Sequence, residues 1–323
     1  MCGIAGIIYL GQGGREPSGD HPNRGQEGPL GHDMARMLHA MRHRGPDSTG
    51  YALYGPPSEL IVMRFKLADP TDKRDFDFSE RLERNRREVE ARLAKLGATI
   101  DRVEGESEYA YRATFRYTGE LKPLADFVED VPGAEVLSLG HSLEIVKDLG
   151  DARTVAEQYR LESFRGTHAI GHVRMATESD VDIAGAHPYW AYPFSDVAVV
   201  HNGQLTNYHQ WRRRLERLGH RFQSECDSEI IAVYIAQRMA DGDSLETAMK
   251  QSLDELDGVF TYLVVTENQL GVAKDEMAAK PLVLYEADDM VAMASEEVAI
   301  RAVVNREIDT YDPYEREVRV WSR

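Results

Sequence analysis

Cysteine is nearly missing from this chain. Among 323 residues only Cys2 and Cys226 occur, too few for a disulfide framework and without the C-x-x-C spacing of zinc or iron–sulfur sites. Any redox cofactor is therefore expected outside this chain. Positive charge is scarce as well: 38 Lys and Arg stand against 55 Asp and Glu, and the net charge of −17 argues against nucleic acid or an anionic membrane as a partner. No window approaches the roughly 18 consecutive apolar residues of a membrane span, and the basic-then-apolar pattern of a secretion signal is missing, so the expected location is the cytoplasm. Apolar residues still make up 42%, enough for the core of one large domain or two ordinary ones.

What is present begins with MCGIAG. A residue as small as Cys after the initiator Met is one that aminopeptidases expose, so the mature chain is expected to start at Cys2. One residue then carries a thiol and an α-amine of reference pKa about 7.7–8.0, and the amine can serve the thiol as general base. Taken alone, Cys2 reads equally as a small buried residue opening a strand over 2–9.

Residues 11–28, rich in Gly, Pro and polar side chains, read as a loop, and Met34, Met37, Leu38 and Met41 mark a short helix that stops at HRGPDSTG, 43–50. A strand over 50–54 follows. From 60 to 150 the composition changes to strands interleaved with an Arg/Glu-rich helix over 79–96 and a shorter one over 123–131, which reads as a small inserted α/β module with a structural or docking role. After a helix over 154–164, the strand in HAIGHVRMATES delivers His172, Arg174, Thr177 and Glu178 to its far end, where an Arg must reach solvent or meet a carboxylate. HNG, 201–203, is a turn signal that also offers an amide donor in Asn202 and a pliant N–H in Gly203. Asn207 is placed to cap one helix, and Asp227 to cap the apolar helix over 230–239. Strands at both ends with helices between them fit two sheets sandwiched by helix layers.

In this order MCGIAG, HRGPDSTG, GHVRMAT, AHP, HNG, CDSE, KDEMAAKPLVL and ASEEVAI resemble the class II glutamine amidotransferases among the N-terminal-nucleophile (Ntn) hydrolases, over 1–55 and 165–305. The resemblance implies an α+β fold, a four-layer αββα Ntn-hydrolase sandwich interrupted by the 60–150 module. It implies Cys2 as nucleophile, Asn202 and Gly203 as oxyanion hole, and Arg174, Thr177, His201 and Asp227 as substrate-binding residues. Arg174 would take the α-carboxylate of L-glutamine and Asp227 its α-ammonium, the charge complement a free amino acid needs. Two positions depart from the family: Met175 replaces an aromatic, and Glu178 a His or Ser.

Within that class the chain is most similar to the amidotransferase-like subunit of glutamate-synthase-like assemblies, including N-methylglutamate synthase. This implies ammonia delivery to synthase-type partner subunits in a hetero-oligomer, with FMN and iron–sulfur clusters on the partners and no cofactor in this chain. Two other readings stay open at the level of sequence. One is a degenerate Ntn-fold subunit that scaffolds without hydrolysing glutamine; the other is an Ntn amide hydrolase of a different substrate.

Overall fold

Strand β1 (Gly3–Tyr9) reads GIAGIIY and is buried through Ile8, as expected of a strand covered on both faces. It lies in the middle of a six-stranded sheet ordered β13 (Val283–Glu286), β14 (Met290–Ala294), β1, β8 (His168–Arg174), β2 (Ser48–Tyr54) and β7 (Leu143–Leu149). A five-stranded sheet runs β15 (Val318–Ser322), β12 (Gln269–Lys274), β11 (Gly258–Val265), β10 (Ala198–Leu205) and β9 (Tyr189–Trp190). All strand pairings in the two sheets are antiparallel. The computed structural model describes residues 2–10, 28–176 and 182–323; the expected loop over 11–28 falls almost wholly outside them, as do Thr177 and Glu178.

The two sheets face one another, with β8 touching both β10 and β11. Helices α1 (Leu30–Ala40), α4 (Ala152–Gln158) and α8 (Glu297–Arg301) cover the six-stranded sheet. On the other side, α6 (Asp227–Ala240) and α7 (Leu245–Glu255) cover the five-stranded sheet, and α5 (Tyr208–Arg217) packs on α6. This is the four-layer αββα sandwich. Among the described residues no helix is long and apolar enough to cross a membrane.

A third, four-stranded sheet is ordered β4 (Thr99–Gly105), β5 (Ala110–Arg116), β3 (Ile61–Lys66) and β6 (Glu135–Gly140), and carries α2 (Phe78–Lys95) and α3 (Leu121–Glu129). It therefore spans 61–140. The last strand of the 60–150 segment, β7, belongs to the six-stranded sheet, because it pairs with β2 from Ser48↔Leu149 to Tyr54↔Leu143. The third sheet is not a separate globule: Phe115, Leu93 and Val136 share one buried apolar cluster with Ile4, Ile7 and Ile170.

Two local expectations differ from the structure. The single helix over 154–164 is broken: α4 ends at Gln158, Arg160 takes a left-handed φ of 54°, and a 3-10 turn follows at Leu161–Ser163. Tyr159 and Gln158 are drawn to the carboxylate of Asp148 at 2.9 and 3.0 Å, which turns the chain there. Asn207 stands at the start of α5 but does not cap it. Its side chain instead donates to Glu255 O at 2.9 Å and accepts from Asp257 N at 3.1 Å, tying α5 to the end of α7.

Candidate active site

Cys2 lies just before β1, and the β1–β8 register, Gly3↔Val173, sets it beside Arg174. The half-buried thiol receives the Met175 backbone N–H at 3.4 Å. What residue 175 offers the sulfur is thus main chain. Two neighbours hold the Cys2 carbonyl. Arg44 Nε donates to its carbonyl at 3.0 Å while Nη1 pairs with Glu296 at 2.5 Å. Asn202 Nδ2 donates to the same carbonyl and to Ser295 Oγ, each at 3.3 Å. Ser295 Oγ in turn accepts from Ile4 N at 3.0 Å.

The segment HRGPDSTG shapes the next residues. Asp47 N donates to Arg174 O at 3.1 Å, and its carboxylate accepts from Ala176 N at 2.8 Å, holding the chain as it leaves β8. Gly45 lies flat on Arg174: a Cβ there would come within 2.5 Å of the Arg174 carbonyl carbon, which no side chain tolerates. Arg174 itself is buried, at 9% exposure. Sequence reasoning gives no role to Arg44, Ser295 or Glu296, and reads Asp47 only as a residue that turns the backbone. The signal was there, since each lies inside one of the short motifs.

On β10, Asn202 is buried and Gly203 has φ of 139°; a Cβ at Gly203 would fall 2.1 Å from Val259 O, so glycine is obligatory. Asp227 is not the helix cap expected for it. Cys226 holds that position, and Asp227, the first residue of α6, accepts from Leu205 N at 2.7 Å through Oδ2. Leu205 lies three residues along β10 from Asn202, about 10 Å at strand spacing. Burial pushes the Asp227 carboxyl up, but the His201 ring and the Leu205 N–H more than offset this and hold it below the usual range. It is therefore a carboxylate at neutral pH.

His201 is buried beneath Asp227, its Nδ1 2.9 Å from Ser228 Oγ and 3.6 Å from Asp227 Oδ1. Ser228 also reaches His187 Nε2 at 3.2 Å, and His187 stacks on His172 with ring centroids 4.1 Å apart. Burial, with His201 and Arg174 nearby, lowers His172 to about 3, and burial beside His172 takes His187 well below its ordinary value. Both rings are neutral. Cys226 lies against His187, Ser228 and Asp227, and burial followed by the Asp227 charge pushes its thiol up, so it is a poor nucleophile. Among the described residues no three His, Cys, Asp or Glu side chains are grouped to hold a metal ion.

The structure thus gathers Cys2, Arg174 and Asn202–Gly203 at the adjoining ends of β1, β8 and β10, with Asp227 and His201 alongside. Residues 172–302 match a glutamine amidotransferase domain family. A protein of Methanothermobacter thermautotrophicus assigned as a glutamine amidotransferase is 38% identical over 99% of both chains. The chain belongs to the class II glutamine amidotransferases. The glutamine amidotransferase-like protein GlxB of Rhizobium meliloti is also 38% identical, over 94% of this chain and 91% of its own. In fold, the amidotransferase is similar to the glutamine phosphoribosylpyrophosphate amidotransferase of B. subtilis, with a TM-score of 0.59 at 19% identity. That match covers 99% of this chain and 47% of the other, so the chain spans about half the length of that structure. Membership implies glutamine as substrate.

Proposed function

We propose that this chain is a glutaminase subunit that hydrolyses L-glutamine to glutamate and ammonia through a Cys2 thioester. Removal of Met1 gives Cys2 its α-amine, which takes the thiol proton as Sγ attacks the side-chain amide carbon and returns it to the departing nitrogen as ammonia leaves. Water then cleaves the thioester to glutamate, the amine again acting as base. The observation that carries this reading is the clasp on Cys2, whose sulfur and carbonyl are held by Met175 N–H, Arg44 and Asn202 at the end of β1.

Asn202 has two amide protons, and in this structure both rest on 3.3 Å contacts that a developing oxyanion, a stronger acceptor, can displace. With the Gly203 N–H it forms the oxyanion hole. Arg174 takes the substrate α-carboxylate, and the ionised Asp227, with His201 beneath it, takes the α-ammonium. The resemblance also gives Thr177 a substrate-binding role; it falls outside the described residues.

The ammonia passes to a synthase-type partner subunit of a glutamate-synthase-like complex, N-methylglutamate synthase among them, with flavin and iron–sulfur clusters on the partners. The test is protection of Cys2 from iodoacetamide, read by intact mass on the native protein. Glutamine, not acyl amides, should protect, and the active species should begin at Cys2. Protection by acyl amides alone, or an active species that retains Met1, would overturn the assignment. Co-purifying subunits carrying no flavin would remove the synthase partner.

A further inference from the structure

Asp227 opens α6 directly after residues 220–226, a segment in neither strand nor helix. Side chains hold it, and they come from two directions. From α6, the buried Glu229 accepts from Gln223 N at 2.9 Å, Ser224 N at 3.0 Å and Ser224 Oγ at 2.8 Å. From the third sheet, Glu129 at the end of α3 pairs with Arg221 and accepts from the Gln223 side-chain amide. That amide also reaches Val136 O of β6 at 3.2 Å, and Asp126 of α3 lies 2.8 Å from Arg221 Nε. The Glu129 side chain is only 7% exposed, although Arg221 and Gln223 reach solvent, so the carboxylate is the partner whose pairing is costly to lose.

We propose that the third sheet is a positioning element for the amino end of the substrate. Through Glu129 it holds Arg221 and Gln223, and through them the segment whose next turn carries Asp227. This rests on the reading of Asp227 as the clamp for the α-ammonium. Glu129, Arg221 and Gln223 touch no substrate; they set where the Asp227 carboxylate stands relative to Cys2. The element consequently matters for ligands that carry the ammonium, and not for ligands that lack it.

Glutaric acid monoamide separates the two, since it keeps the amide and carboxylate of glutamine without the α-ammonium. In the full chain, with Cys2 alkylation by iodoacetamide followed by mass, Glu129→Ala and Gln223→Ala should weaken protection by glutamine about 2- to 30-fold. Protection by glutaric acid monoamide should not change. Gln223 is exposed, so its variant folds even if Glu129→Ala does not. Equal weakening of both ligands would mean general loosening and would overturn the proposal, as would no weakening of either. Asp227→Asn is the control. If it discriminates between the ligands while the two positioning variants do not, this proposal alone fails; if it does not discriminate, the clamp assignment fails and takes the proposal with it.

Discussion

The sandwich and the third sheet handle polar groups in opposite ways. The sandwich buries them: His168, His172, His187, Asn202 and His201 all lie inside, with His168 against Thr266 O, His187 and His201 against Ser228 Oγ, and Asn202 against Ser295 Oγ. The third sheet keeps most of its charge outside, as rows of pairs one helical turn apart on α2, such as Arg86–Glu90, Arg92–Glu88 and Arg87–Glu83. Buried polar networks are sensitive to any lost partner, whereas exposed ion pairs contribute little. The difference therefore teaches where a substitution should be felt. It also marks the exceptions, the face of α3 turned toward residues 220–226 and strand β3, where Arg64 and Lys66 are buried in ion pairs.

The largest effect expected is Cys2→Ala, which abolishes thiol-dependent glutaminase activity while leaving the sandwich folded. Cys226→Ala keeps most of it, because that thiol is held protonated by its surroundings. Equal loss in the two variants, measured as ammonia release, would contradict the assignment of the nucleophile.

Removing either end of the clamp comes next. Arg174→Ala and Asp227→Ala should raise KM for glutamine, each lost contact costing about 2–5 kcal/mol of binding because the surviving substrate charge then faces an unpaired site, with kcat changed less. Asn202→Ala should do the reverse, lowering turnover about 10²–10³-fold at little cost in KM, since the oxyanion exists only after attack. Steady-state kinetics separate them, and an Arg174→Ala enzyme with unchanged KM would sink the substrate assignment.

Acid sharpens the comparison, because residues 61–140 contain no histidine and the sandwich buries several. Burial lowers His168 to about 4 and His172 to about 3, and takes His187 well below its ordinary value. Each ring binds its proton in the unfolded chain near pH 6.5 but not in the folded one. Its contribution is complete above that pH and is lost as pH falls toward the folded value, at up to about 1.4 kcal/mol per pH unit for each ring. Denaturant unfolding should give constant stability above about pH 7 and a steep decline from 6.5 to 4. Hydrogen exchange should place the first loss of protection in β8 and β10. Stability that stays constant down to pH 5 would show these rings to be accessible.

Much of this architecture was legible in the sequence, for reasons that differ by element. Strand β1 is an unbroken run of apolar residues and glycine, β11 is apolar but for Thr261, and α2 shows its buried side as Leu82, Val89 and Leu93 at helical spacing. Cys2, Arg174, Asn202, Gly203 and Asp227 are singled out by short motifs in a fixed order, and the structure sets Cys2 beside Arg174 and Asn202. What could not be read was which backbone groups those motifs hold. The support of Arg44 for Cys2 and of Asp47 for Ala176 crosses 42 and 129 residues of chain, and no local pattern encodes such a pairing. The end of the third sheet was hidden for a similar reason. Strands β6 and β7 are adjacent apolar segments, and only pairing partners tell that one joins β3 and the other β2.

The smallest effect tests the outer face of the third sheet. Arg87 projects from α2 with 73% of its side chain exposed, four residues after Glu83, whose side chain is 44% exposed. Solvent screens such a pair, and ordering two long side chains offsets most of its attraction. Arg87→Ala should therefore leave the melting temperature within about 2 °C, and glutamine protection of Cys2 as it was. Paired with Glu129→Ala, it asks whether the third sheet matters everywhere or only where it faces the segment before α6. A loss of glutamine protection in Arg87→Ala as large as that in Glu129→Ala would mean that any disturbance of the sheet reaches the site, and the distinction between its two faces would fall.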